Sequence, residues 1–213
     1  MLISLRHITC IFIAILLIGC LTSCQSWREA KTVVAEADSL LVHKRTILRD
    51  TAALNFAINT LDGPLGYIFT KQDLAKAYYF MGRNFYYLND FSTAADYYIL
   101  CDRLNPKDPL YKGRVNSCMG YLCKQDSCFE EALVFYERAN EAFEKSGDEK
   151  RIANGLVSIA EQYVNLKEYD KVDSVLSLAS RYEIDSAYYA RMVDVKALAL
   201  YNQEMYNCNL LFQ

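Results

Sequence analysis

The sequence has few of the residues that interrupt helices or build catalytic sites. It contains 3 prolines and 8 glycines in 213 residues, which argues against an all-β chain rich in turns and favours long helices. Its 2 histidines are His7 and His43, and it lacks a glycine-rich phosphate loop, a nucleophile elbow and a His-rich metal motif. We therefore expect an all-α protein that is not an enzyme and uses no cofactor or metal. An enzyme with unrecognised chemistry is the alternative.

The sequence also lacks an excess of charge of one sign. It has 23 Lys and Arg residues against 26 Asp and Glu residues, a net charge of -3. A basic surface of the kind that binds nucleic acid is therefore not expected. Hydrophobic residues make up 53% of the chain, which excludes a disordered protein.

The first 23 residues have the pattern of a secretory leader. Arg6 and His7 precede an apolar run over residues 8–21, which is shorter than the roughly 20 residues that span a bilayer as a helix. The run ends in Leu21-Thr22-Ser23-Cys24, which resembles the bacterial lipobox. The resemblance implies a signal peptide over residues 1–23 and a lipid anchor on Cys24. Lipidation at Cys20, an ordinary cleaved signal and an uncleaved anchor are the alternatives.

Five cysteines remain after the leader and the anchor: Cys101, Cys118, Cys123, Cys128 and Cys208. An odd number does not indicate a closed disulfide framework. Residues five apart on a helix point about 140° apart, so the three in the middle do not converge on one metal ion. We expect these cysteines to pack between helices, with a Cys123–Cys128 disulfide as the alternative.

A spacing of small and aromatic residues recurs four times after residue 72. In each copy a small residue on one predicted helix precedes its counterpart on the next by twelve positions, and an aromatic residue stands three positions before that counterpart. A small residue within an apolar helical stripe lets a partner helix approach closely. The pairs are Gly82/Ala94, Gly120/Ala132, Ala160/Val172 and Ala197/Asn209, and the aromatic residues are Phe91, Phe129, Tyr169 and Tyr206.

This spacing resembles that of the tetratricopeptide repeat family, with a generic helical bundle as the alternative. The resemblance implies an α-solenoid of antiparallel helix pairs, wound into a right-handed superhelix over residues 67–213. The repeats would cover about residues 75–108, 113–146 and 153–186, with an incomplete copy at 190–213 that turns at residues 202–204. Residues 24–66 are predicted to form an N-terminal helical pair, either a degenerate repeat or a cap, in one continuous stack.

The resemblance also implies a binding surface, because the first helices of such arrays line a concave groove that holds a peptide or a partner's helix. The candidate groove residues are Lys76, Tyr79, Arg83, Tyr86, Arg114, Ser117, Tyr121 and Lys124, followed by Asn154, Val157, Glu161 and Asn165 on the third first helix. Tyrosine and basic side chains suit an extended segment with carboxylates and apolar side chains. Packing between repeats is the alternative role for each tyrosine.

These features predict a lipid-anchored, non-enzymatic scaffold that binds a protein or peptide partner and no nucleic acid. The chain is similar to the tetratricopeptide lipoproteins common in Bacteroidetes, which implies a place in the bacterial envelope, on the outer membrane and facing the periplasm. It would act alone or as the interaction part of a longer signalling protein. The alternative is a fixed subunit of an outer-membrane assembly or nutrient-uptake complex. The apolar, incomplete fourth copy further predicts self-association or a partner at that edge, with a short frayed helix as the alternative.

Overall fold

The computed structural model describes residues 23–37, 51–62, 70–182 and 186–211, and for residues 206–211 the backbone alone. All regular structure in these ranges is helical, in nine helices without a strand, so the predicted all-α class is confirmed. Residues 1–22 of the predicted leader and His43 lie outside the described residues. Within the described ranges, none of the helices combines the length and hydropathy needed to cross a bilayer.

The chain divides into two compact units, Met1–Leu104 and Asn105–Gln213. The first unit contains α1 (residues 23–37), α2 (Thr51–Leu61), α3 (Lys71–Tyr87) and α4 (Phe91–Arg103). Helix α3 packs against both α2 and α4, around the fully buried side chains of Leu54, Leu61, Leu74, Met81 and Tyr98. The Tyr78 hydroxyl donates to Asp62 Oδ2 at 3.3 Å, and burial together with this carboxylate raises the pKa of Tyr78 to about 12.

The second unit contains α5 (Pro109–Gln125), α6 (Phe129–Ser146), α7 (Glu149–Asn165), α8 (Tyr169–Ala179) and α9 (Ser186–Leu211). Each of α5 to α8 packs against the next helix, and α9 packs against both α7 and α8. Acidic N-caps begin two of these helices: Asp108 accepts from Leu110 N at 2.9 Å, and Asp148 accepts from Arg151 N at 3.1 Å. Such caps satisfy backbone donors that a helix start leaves without a partner.

The same turn closes three helix pairs, α3–α4, α5–α6 and α7–α8. Its key residue has a positive φ in each case, 60° at Asn89, 61° at Ser127 and 61° at Lys167. The following residue donates its N–H to the carbonyl five positions back: Asp90 to Phe85 at 3.0 Å, Cys128 to Cys123 at 2.9 Å and Glu168 to Tyr163 at 2.8 Å. This is the hydrogen bond of a Schellman turn, so the spacing found in the sequence has a counterpart in the backbone.

The small residues of the predicted repeats lie where the paired helices touch. A Cβ atom on Gly82 would be 2.7 Å from Tyr98 Cε1 and 3.2 Å from the Ala94 carbonyl oxygen. On Gly120 it would be 3.1 Å from the Tyr136 ring and 3.2 Å from the Ala132 carbonyl oxygen. Ala160 and Val172 of the third pair are both buried. Close approach of the two helices therefore depends on a small side chain at this position.

The fourth copy does not form a helix pair. Helix α9 continues through residues 202–204 to Leu211, so the predicted turn and the second helix from Tyr206 are wrong. Glu204 and Met205 stand where Lys167 and Glu168 make the third turn, and both favour a helix. Asn209 stands where the third pair has Val172, so turning back would bring a polar side chain to the helix contact. The predicted single continuous solenoid stays a prediction.

Candidate protein-binding groove

The second unit has a groove between α5, α7 and α9, called here the α5–α7–α9 groove. It holds a cavity of about 520 Å³, within the size range of ligand pockets in proteins. Its walls combine four apolar side chains with five polar ones: Phe129, Val164, Val195 and Leu198, and Lys124, Glu161, Asn165, Arg191 and Asp194. The mixture suits a ligand with both apolar and charged groups.

A polar network on the wall of this groove joins the three helices. The guanidinium of Arg191 on α9 donates to three acceptors on α7: Nε to Glu161 Oε1 at 2.7 Å, Nη1 to Asn154 Oδ1 at 2.6 Å and Nη2 to Ser158 Oγ at 2.9 Å. Lys124 on α5 donates to the other oxygen of Glu161 at 3.1 Å. Glu161 on α7 therefore binds one cation from α5 and one from α9.

The charges of this network stabilise one another. Burial alone would raise the pKa of Glu161, but hydrogen bonds and charges from Arg191 and Lys124 outweigh it, and the pKa is lowered. Burial opposes the charged form of Arg191 too, yet the bond to Glu161 leaves its pKa raised. Glu161 and Arg191 are thus ionised at neutral pH. Two cations share one carboxylate in this network, and with Asp194 the formal charges of the groove lining balance.

The predicted groove residues of the second unit are only partly brought together. Lys124, Glu161 and Asn165 line the cavity, and Asn154 belongs to the network. Tyr121 and Ser117 are half-buried on the same helix as Lys124. Arg114, in contrast, is 7% exposed, with its guanidinium 5.1 Å from the Tyr111 ring, and Val157 is fully buried. The prediction that Arg114 and Val157 line an open groove is wrong, because both face the interior.

The candidates of the first unit are more enclosed than predicted. Tyr79 is 3% exposed, so its packing role applies and its placement on an open groove surface is wrong. Lys76, Arg83 and Tyr86 are half-buried. Arg83 Nη2 donates to the Tyr87 hydroxyl at 2.6 Å, and its guanidinium lies 5.9 Å from the Tyr79 ring centre. These contacts hold Arg83 among the aromatic side chains of its own helix.

Arg191 is the important groove residue that the sequence analysis missed. It stands 37 positions after Asn154, which itself stands 40 positions after Arg114 and 78 after Lys76. These are the intervals of the repeat. Extending the list of groove positions into the fourth copy would therefore have found Arg191, and Leu198 by the same spacing from Glu161.

The cysteines differ in their surroundings. Cys101 is buried, Cys118 and Cys123 are half-buried and Cys128 is exposed, and all four carry free thiols. Burial raises the pKa of Cys123. The predicted packing role describes Cys101 well but not Cys128. Across the described ranges, His, Cys, Asp and Glu side chains do not gather into a group of three or more that could hold a metal ion.

Comparison with known proteins provides a fold relationship. No family model matches the chain, and no curated protein matches it. Among solved structures, BtubC (BKLC) from P. vanneervenii superposes with a TM-score of 0.56 over 87% of this chain and 87% of that chain, at 16% sequence identity. At this identity the likeness concerns the fold alone.

Proposed function

We propose that the protein is a non-enzymatic scaffold, lipid-anchored in the bacterial envelope, that binds a segment of a partner protein in the α5–α7–α9 groove. One observation carries the proposal: side chains of α5, α7 and α9, with Phe129 of α6, jointly line a cavity that combines apolar walls with a network of charged groups. Recognition surfaces of this kind bind an apolar anchor in a pocket and use nearby charges for orientation and specificity.

The chemistry of the groove suggests what the segment contains. The apolar walls around Leu198 suit a large aliphatic or aromatic side chain. The lining carries two cations, Lys124 and Arg191, and two carboxylates, Glu161 and Asp194, so it suits polar or charged groups of either sign close to that side chain. Such groups would meet side chains that the ion pairs of Glu161 already hold in place, so little side-chain entropy is lost on binding.

The repeated geometry supports a tetratricopeptide-like architecture within this proposal. Three helix pairs close with the same positive-φ turn, and two of them place a glycine against the partner helix in the same way. The proposed right-handed solenoid would line up α5, α7 and α9 as successive first helices. Contacts of Arg191 with α7 and of Lys124 with Glu161 join those same helices.

The envelope location rests on the leader and on Cys24, which is exposed at the beginning of α1. We expect Cys24→Ala to abolish lipid labelling and to release the protein from membranes, because Cys24 is the proposed site of the lipid. Cys20→Ala is the matched control and should leave the protein bound. Release by the Cys20 variant, with the Cys24 variant still bound, would reassign the lipidation site.

Photo-cross-linking tests the groove. A photoreactive amino acid replaces Leu198 in the full chain, expressed in its own envelope, and Val134 on α6 serves as control because it has similar exposure, 43% against 50%. We expect a discrete protein adduct from position 198, weakened by Arg191→Gln, and none from position 134. Equal adducts at both positions would contradict the proposal. An adduct with one stoichiometric outer-membrane protein would favour the fixed-subunit role over transient binding.

A further inference from the structure

Two cysteines lie on either side of the turn that joins α5 to α6. Cys123 is in the last turn of α5, and Cys128 is the residue before α6 begins. The Cys128 N–H donates to the Cys123 carbonyl oxygen at 2.9 Å. Covalent geometry fixes the rest of that path, so the two Cα atoms are at most about 6.8 Å apart. This distance does not exceed the range that a disulfide requires, about 4.4–6.8 Å.

The two side chains are directed toward the same turn. The Cys128 thiol donates to the carbonyl of Asp126, within the turn, at 3.7 Å. Burial raises the pKa of the Cys123 thiol, and the negative charge of a Cys128 thiolate raises it further, as expected of a nearby group of like charge. In a Schellman turn, side chains at these two positions frequently touch. The two sulfur atoms are therefore placed to reach each other.

The equivalent turns of the other two helix pairs form without cysteine. Their bridging positions carry Phe85 with Asp90 and Tyr163 with Glu168. At the N-cap position Asp90 accepts from a backbone N–H at 3.1 Å, whereas the Cys128 side chain makes no capping bond, and cysteine is not among the favoured N-cap residues. Formation of the turn therefore does not explain why this copy has two cysteines.

We propose that Cys123 and Cys128 are a redox-active pair, which an external disulfide oxidises reversibly to an intramolecular disulfide across the α5–α6 turn. The Cys128 thiolate attacks one sulfur of the external disulfide, forms a mixed disulfide and releases the other half as a thiol. The Cys123 thiolate then attacks Sγ of Cys128 and releases the second half. The two cysteines lose two electrons to the external disulfide, and their two protons end on the two released thiols.

The surroundings of the two thiols assign them different parts in this reaction. Cys128 is exposed and meets the external disulfide first, whereas Cys123 is half-buried. Redox-sensitive sites often combine an accessible thiol with a neighbouring cysteine that resolves the mixed disulfide. The residues that follow the two cysteines, Lys124 and Phe129, both line the α5–α7–α9 groove. The pair therefore lies at the edge of that groove.

Peptide mapping of the full, detergent-solubilised chain tests the pair. The folded protein is treated with oxidised glutathione, its remaining thiols are blocked with N-ethylmaleimide, and trypsin then cuts after Lys124, between the two cysteines. We expect two disulfide-linked peptides that a reductant separates. Cys118→Ser is the matched control and should keep the link, because a rise of about 7.5 Å along α5 puts Cys118 beyond the disulfide range of Cys123.

A second substitution tests the order of the two steps. Cys123→Ser should lose the linked peptides and retain a glutathione adduct on Cys128, which the wild type resolves, while the circular dichroism spectrum is unchanged. A lasting glutathione adduct on Cys128 of the wild type, with Cys123 blocked by N-ethylmaleimide, would overturn the proposal. So would a link that disappears in Cys118→Ser or that joins two chains. The outcome is independent of the groove experiment, because it is measured on the purified chain without a partner.

Discussion

The α7–α8 pair and helix α9 carry the same sequence spacing but fold differently. At the third copy the chain turns at Lys167, with φ 61°. At the fourth it continues as helix through Glu204. Neither Lys167-Glu168 nor Glu204-Met205 contains the glycine or asparagine that a left-handed turn favours. A positive φ at a residue such as Lys167 costs roughly 1–2 kcal/mol, so the local sequence alone would predict helix at both places.

The two copies differ in how much apolar surface a second helix would bury. Helix α8 buries Val172, Leu176 and Ala179, at 1%, 5% and 0% exposure. Burial of one Val or Leu side chain stabilises by about 1.5–3 kcal/mol, which exceeds the cost of the turn. The fourth copy would return Asn209 to the position of Val172. The comparison teaches that apolar burial by the second helix, rather than turn chemistry, decides where this chain reverses.

The largest expected effect contrasts a covered and an uncovered leucine. Leu176→Ala should destabilise the protein by about 2–4 kcal/mol, because it empties a buried site. Leu200→Ala, at 50% exposure, should cost less than about 1 kcal/mol. Denaturant unfolding followed by circular dichroism measures both. Equal losses would mean that α9 is covered as fully as α8.

A second contrast uses the small position of the repeat. Gly82→Leu should destabilise by about 1–3 kcal/mol through overpacking, because even a Cβ atom would lie 2.7 Å from Tyr98. Ala197→Leu stands at the same position in the fourth copy and should be tolerated within about 0.5 kcal/mol. Thermal melts of both variants provide the comparison, and a large loss of stability for Ala197→Leu would show that another helix packs at Ala197.

A third comparison predicts changes in stability of opposite sign. Lys167→Gly should stabilise by about 1 kcal/mol, since glycine adopts a positive φ without the steric cost of a side chain. Glu204→Gly, at the corresponding position, should destabilise by about 1 kcal/mol, since glycine weakens a helix interior. Unfolding curves of the two variants test this. Stabilisation by Glu204→Gly would indicate that the fourth copy turns after all.

The smallest effect concerns the polar link that holds α9 to α7. The pKa of Glu161 is lowered in the folded state. The contribution of this carboxylate to stability is therefore present above the ordinary pKa of about 4.5 and is lost as the pH falls below that value. Glu161→Gln should therefore cost about 1 kcal/mol at pH 7, after screening by solvent. The difference in stability between wild type and variant should disappear as the pH falls below about 4.5. A stability difference that grows as the pH falls would contradict a stabilising role for the ionised Glu161.

Much of the fold follows from periodic spacing in the sequence. The helices of the three pairs and the contacts of Gly82 and Gly120 lie where the repeated spacing predicted them. The predicted turn at residues 202–204 was wrong because a polar stretch without glycine or proline is compatible with a helix. Tyr79 and Arg114 share the face predicted for the groove, but depth cannot be read from periodicity alone. The link from Arg191 to α7 depends on side-chain distances, which spacing along the sequence does not encode.

The distance between residues 197 and 209 tests the central claim most directly. In the three helix pairs, residues twelve apart at these positions lie at the helix contact, where helix axes are about 8–10 Å apart. In a continuous α9 the same separation spans about 18 Å, from a rise of about 1.5 Å per residue. Spin labels at Ala197 and Asn209, measured on dilute protein mixed with unlabelled chain, should report a narrow distribution near the longer distance. A distribution near the shorter distance would show a fourth helix pair and contradict the account.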